Sequence, residues 1–196
     1  MKTRAAVALT LLAGIGGVAS AQFITFEELG VQPDLFNQTT ALRAQYAGVG
    51  VTFSGAGALD GGGILNQASN FGLNARSGEH FLAFNTGASF SDGGSASGPQ
   101  TITFAGGASA VSIYGAIARI TMTAFNDDNI EVGNVTIGAD LAWQELALTG
   151  NISYVVIAGA GSDTMVLDDL SWTAIPAPSS AALAGILALG AARRRR

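Results

Sequence analysis

Two acidic pairs stand on apolar runs near opposite ends of the chain: Glu27-Glu28 after Phe23-Ile24-Thr25-Phe26, and Asp168-Asp169 within Val166-Leu167-Asp168-Asp169-Leu170. Bare carboxylates brought together repel. A hard divalent cation with oxygen ligands removes that penalty, and calcium fits best among carboxylates and backbone carbonyls. Glu27, Glu28, Asp168 and Asp169 are therefore the candidate ligands of a structural calcium. Neighbours on a strand point to opposite faces, so one member of each pair is expected at a shared site. The alternative is that one acid of each pair is solvated or caps a loop.

Other chemistry is thin. His80 is the single histidine; with Glu79 it forms a candidate acid/base pair, but no Gly-x-Ser-x-Gly elbow accompanies it. Ser77-Gly78-Glu79-His80 reads better as a loop leading into Phe81-Leu82-Ala83-Phe84. Asp127-Asp128-Asn129 lacks the spacing and closing Glu of a calcium loop and reads as a hairpin turn. Trp143, Trp172, Tyr46, Tyr114 and Tyr154 are able to stack on sugar rings, although aromatics at alternating strand positions usually belong to a core. No catalytic residue is assigned. The chain has no cysteine, which rules out disulfides, thiol chemistry and thiolate metal sites.

The elements that must position these residues are strands. Period-two alternation marks Thr101–Phe104, Val111–Tyr114, Ile120–Phe125 and Ile130–Val132. Further runs are Phe23–Phe26, Val49–Ser54, Phe81–Phe84, Val135–Ile137, Trp143–Leu148, Ile152–Ala158 and Thr164–Thr173. A helical turn is expected only over Thr39–Tyr46, and the glycine-rich stretches Gly55–Gly63 and Gly87–Gly98 are expected as exposed loops. Some ten short strands without a long helix predict an all-β fold, a β-sandwich of jelly-roll type.

Charge divides the 196 residues into three parts. Six of nine basic residues sit at the extremities: Lys2, Arg4 and Arg193, Arg194, Arg195 and Arg196. Residues 22–175 keep three arginines against all fourteen acids, a formal charge of −11. Such a body repels nucleic acid, and no nucleic-acid partner is expected. Residues 1–21 have the parts of a secretory signal: a basic start, the uncharged run Ala5–Val18, and small residues at Ala19 and Ala21 that place cleavage before Gln22. At the other end Pro176-Ala177-Pro178 breaks the chain, Ala181–Ala192 is apolar, and four arginines close it. Residues 176–192 would span about 25 Å as a helix against about 30 Å of hydrocarbon, a marginal length for a lasting anchor, with the arginines on the cytoplasmic side. The expected domains are a signal peptide (1–21), a β-sandwich (22–175) and a sorting tail (176–196).

The tail resembles the PEP-CTERM sorting signal of Gram-negative bacteria: a Pro-x-Pro motif, a short apolar helix, then a terminal basic cluster. Alanine at 177 replaces the central glutamate of that pattern. The resemblance implies a precursor held transiently in the inner membrane, cleavage by an exosortase-type protease after signal peptidase has acted, and release to the cell surface or matrix alongside exopolysaccharide. The middle resembles galactose-binding-like and carbohydrate-binding jelly rolls over Ile24–Leu29, Tyr46–Phe53 and Val166–Trp172. That resemblance implies first and last strands side by side, with acids at matching places that hold a structural calcium. Together these readings predict an exported, non-enzymatic surface or matrix protein associated with polysaccharide. The alternatives are a glycan-acting enzyme and a purely structural coat protein retained by a membrane anchor.

Overall fold

Short runs of alternating apolar residues each have one face to bury, and they bury it by pairing edge to edge and then layer to layer. In the computed structural model, which describes residues 20–55, 62–69, 71–84, 99–160 and 165–176, this produces nine strands. They are β1 (Ala21–Ile24), β2 (Val51–Gly55), β3 (Gly63–Asn66), β4 (His80–Ala83), β5 (Gln100–Ala116), β6 (Ile120–Phe125), β7 (Glu131–Ile137), β8 (Gln144–Gly159) and β9 (Val166–Ala174). Every pairing between them is antiparallel. The expected all-β sandwich is the observed fold.

Its layers are joined by two long strands. The first part of β5 lies between β2 and β8, and its second part between β9 and β8. One layer is therefore β3-β4-β9 continued by the end of β5 and the start of β8. The other is β2, the start of β5, the end of β8, β6 and β7. The first and last strands, β1 and β9, are neighbours, with Ile24 opposite Leu170 and Ala21 opposite Thr173.

Two expected strands, Thr101–Phe104 and Val111–Tyr114, are one strand here. Ala105–Ala110 reads as a break because its residues are small. Gly106 and Gly107 take left-handed φ angles of 78° and 81°, and the strand passes through them as a bulge, with register shifts between Thr103 and Ala110. The bulge changes parity: Ile102 and Phe104 are buried before it, Val111 and Ile113 after it. Trp143–Leu148 and Ile152–Ala158 likewise merge into β8, and Ile130–Val132 with Val135–Ile137 into β7. β3 was not expected as a strand. No helix forms over Thr39–Tyr46; single 3-10 turns at Phe36–Gln38 and Ala47–Val49 flank it. The stretches 56–61 and 85–98 of the two glycine-rich loops lie outside the described residues.

The inward faces of both layers share one core, in which Leu82, Leu167, Ile113 and Leu146 meet Phe53, Ile102, Met122 and Val155. A second apolar cluster lies on the outer side of β3-β4-β9: Phe36, Leu65, Phe81, Ala83, Ala116 and Val166, with Phe71, Leu73 and Trp143 packed against it. Phe71 meets Phe36 and Phe81 edge-on at 6.1 and 5.5 Å. All four residues of β4 are consequently buried. That explains its unbroken apolar run, since a strand covered on both faces need not alternate. Among the described residues no helix is long and apolar enough to cross a membrane. Residues 1–19 with Ala19, and the tail from Ala177 and Pro178 to Arg193–Arg196, lie outside the described residues; Pro176 is exposed.

Candidate functional site

Three of the four singled-out acids converge on one loop, Arg76–His80, immediately before β4. In β9 the register slips between the Ser112–Ser171 and Tyr114–Asp168 pairs, and Asp169 takes a left-handed φ of 51°. This bulge corrects the expectation that only one member of the pair reaches a shared site: both carboxylates are buried against the same loop. Asp168 Oδ2 accepts the N–H groups of Arg76 (2.8 Å) and Ser77 (3.3 Å), while its Oδ1 accepts that of Asp169 (2.8 Å). Asp169 pairs with the Arg76 guanidinium and accepts the Ser77 hydroxyl at 2.5 Å. Arg76 also lies 3.4 Å over the Tyr114 ring, a cation–π contact.

From the other side Glu27 Oε1 accepts the N–H groups of Glu79 (2.8 Å) and His80 (2.7 Å). Its Oε2 lies 2.7 Å from His80 Nδ1. Gly78, at a φ of 60°, passes so close that a Cβ would overlap the Glu27 carboxylate. His80 Nε2 accepts the Gln32 N–H at 3.3 Å, while its buried Nδ1 lies against Glu27 without the geometry of a hydrogen bond. Phe26, at a φ of 67°, turns its ring into the core against Tyr46 and Phe53 as the chain leaves β1. Glu28 stands apart. It accepts the Thr25 N–H (2.8 Å), the Thr25 hydroxyl (3.0 Å) and the Tyr46 hydroxyl (3.0 Å).

These carboxylates do not fit the structural calcium expected of them. Calcium takes six to eight oxygen ligands, whereas here Glu27 Oε1 and both oxygens of Asp168 are turned to backbone N–H donors. Arg76 already supplies a cation to Asp169, and Glu28 is committed to Thr25 and Tyr46. Among the described residues no group of three or more His, Asp or Glu side chains is arranged to hold a metal ion. Loop capping, the alternative reading of the acids, is what the geometry carries out.

The electrostatics follow. Burial, with Asp169 adjacent, pushes the Asp168 carboxyl up to about 7 despite its three backbone donors. For Glu28, burial acts upward, but the Thr25 and Tyr46 hydrogen bonds outweigh it and hold the group below its ordinary value. Burial and the nearby Glu28 hold the Tyr46 phenol far above its usual range.

The aromatic candidates sort by register. Trp172 is core beside Phe104 (6.0 Å), and Tyr46 is core beside Phe26 and Phe53. Trp143 donates its indole N–H to Asn74 O at 3.0 Å, and Tyr114 lies under Arg76. Tyr154 differs. It is half-buried on the outer face of the second layer, stacked on Phe125 with centroids 5.0 Å apart and 12° between planes, and its hydroxyl donates to Asn129 Oδ1 at 3.0 Å. Asn129 belongs to the expected hairpin turn, where Asn126 Oδ1 accepts the Asp128 and Ile130 N–H groups at 3.0 and 2.9 Å. Across β2-β5-β8-β6-β7 two registered rows form on this face. One is Thr52, Thr103, Tyr154, Phe125 and Glu131; the other is Ser54, Thr101, Val156, Thr123 and Asn134.

Sequence reasoning missed Arg76, Ser77 and Phe125. Ser77 sits in a stretch read only as a loop, and Arg76 just before it counted only as one of three arginines. Phe125 was legible as an outward position of the Ile120–Phe125 alternation. Of the expected signal-cleavage residues, Ala21 and Gln22 lie in β1 opposite Thr173 and Trp172.

No family model matches the chain, and no curated protein matches it. Among solved structures it is similar to the K2 cleaved adhesin domain of Lys-gingipain, with 15% identity, a TM-score of 0.44, and 79% of this chain and 98% of that one covered. It is also similar to the CBM22-1-GH10 modules of Clostridium thermocellum endo-1,4-beta-D-xylanase 10B, solved with xylohexaose. There identity is 13%, the TM-score 0.38, and the match covers 79% of this chain but 28% of that one.

Proposed function

We propose that this chain is an exported, non-enzymatic surface or extracellular-matrix protein that associates with polysaccharide through the outer face of its second layer, and that its C-terminal tail is a sorting signal removed by an exosortase-type protease. One observation carries the binding role: the stacked Tyr154–Phe125 pair set among rows of threonine and serine hydroxyls. Aromatic faces pack on the C–H face of a sugar ring, and flanking hydroxyl and amide groups exchange hydrogen bonds with its hydroxyls. The non-enzymatic reading is supported by His80, which is 6% exposed, accepts the Gln32 N–H at Nε2 and has Nδ1 packed against Glu27.

The test is retention of the secreted protein on purified exopolysaccharide. Wild type should be retained, and Tyr154→Ala should lose about tenfold in affinity, as the loss of one stacking contact of about 1.4 kcal/mol implies. Equal retention of wild type and variant would remove this face from the reading. Turnover of the glycan, abolished by a single carboxylate-to-amide change, would replace binding with catalysis.

A further inference from the structure

If export proceeds as proposed, cleavage after Ala21 leaves glutamine as the first residue. This makes position 22 a modification site. We propose that the mature chain carries pyroglutamate at position 22, formed when the new α-amine of Gln22 attacks its own side-chain amide.

In the step, the amine nitrogen forms a bond to Cδ, the Cδ–Nε2 bond breaks, and the departing nitrogen takes up a proton and leaves as ammonia. No oxidant or co-reactant is consumed. The product is a five-membered lactam. It carries no charge.

Two features of the fold favour this outcome. Before cleavage the Gln22 side-chain amide donates to Ser20 Oγ at 3.4 Å, a residue that departs with the leader. The same cut therefore creates the nucleophile and frees the electrophile. Secondly, Gln22 is half-buried in β1 directly opposite Trp172, which is only 4% exposed. An uncyclised terminus would hold an ammonium at this half-buried position, with part of its hydration lost. Ring closure deletes the charge.

The inference rests on the export reading, and one experiment separates their failures. Secreted protein is treated with an amine-reactive label at harvest, so that any free terminus is trapped before handling, then digested, and its N-terminal peptide is weighed. The expected peptide starts at position 22, is unlabelled and is lighter than the encoded peptide by one ammonia. Gln22→Glu, whose side chain cyclises far more slowly, should yield the labelled peptide from the same cleavage site. A wild-type peptide that starts at Gln22 and carries the label would overturn the pyroglutamate while leaving export intact. A peptide starting elsewhere would overturn the cleavage site and, with it, the pyroglutamate.

Discussion

The outer faces of the two layers are built from the same alternating strands and meet opposite fates. On the β3-β4-β9 side, residues 71–80 fold over the sheet, bury Phe81 and Val166, and are fastened by Glu27, Asp168 and Asp169. On the β5-β8-β6 side the face remains half-exposed and displays threonines around Tyr154 and Phe125. The covered face uses the carboxylates of Glu27, Asp168 and Asp169 as internal fasteners, each accepting from protein donors. On the open face the hydroxyl-bearing residues Thr52, Ser54 and Thr103 are exposed. A carboxylate on a strand is thus no guide to metal or ligand until its donors are counted.

The sharpest way to break this contrast is a pair of truncations. Phe81→Ala should cost about 3–5 kcal/mol of unfolding free energy, because its ring is fully buried between sheet and loop. Tyr154→Ala, on the half-exposed face, should cost about 1 kcal/mol. Comparable losses in chemical denaturation would mean that the second face is structural as well.

Arg76→Ala probes the fastener. It leaves Asp169 buried at 1% exposure without its cation, and a loss of about 2 kcal/mol is expected. Asp168 then sharpens the picture through pH. Its folded pKa of about 7 lies above the ordinary 3.8, so the folded form holds the proton more tightly. Its contribution to stability is full below about pH 4 and lost as pH rises through about 7. Glu28, held low, acts with the opposite sign and only at more acid pH. Unfolding free energy should therefore decline between about pH 4.5 and 7, and Asp168→Asn should flatten that slope. A wild-type profile that rises over this range would contradict the assignment. The smallest effect belongs to metal: chelator should leave the melting temperature unchanged, since the acids are satisfied by N–H donors. A fall on chelation, restored by calcium, would return the carboxylates to the role their pairing first suggested.

Much of the fold was legible because alternation reports burial directly, as Ile120–Phe125 shows. The pairing of first and last strands followed only from resemblance, since no local pattern specifies a partner so far along the chain. Continuity was lost where small residues form a bulge: Ala105–Ala110 carries no apolar signal, yet β5 runs through it. The acids were found, but their partners were not. Backbone N–H groups have no letter in a sequence, and the left-handed turn at Asp169 that brings two neighbours to one loop occurs at a residue other than glycine. Likewise, the difference between Tyr154 and Trp172 is set by register across β8 and β9, which spacing alone does not give.

One pairing bears on how the protein is held. Ala174 donates its N–H to the carbonyl of Ser20, so the chain enters and leaves the sandwich at a single corner. Whatever grips either end grips that corner.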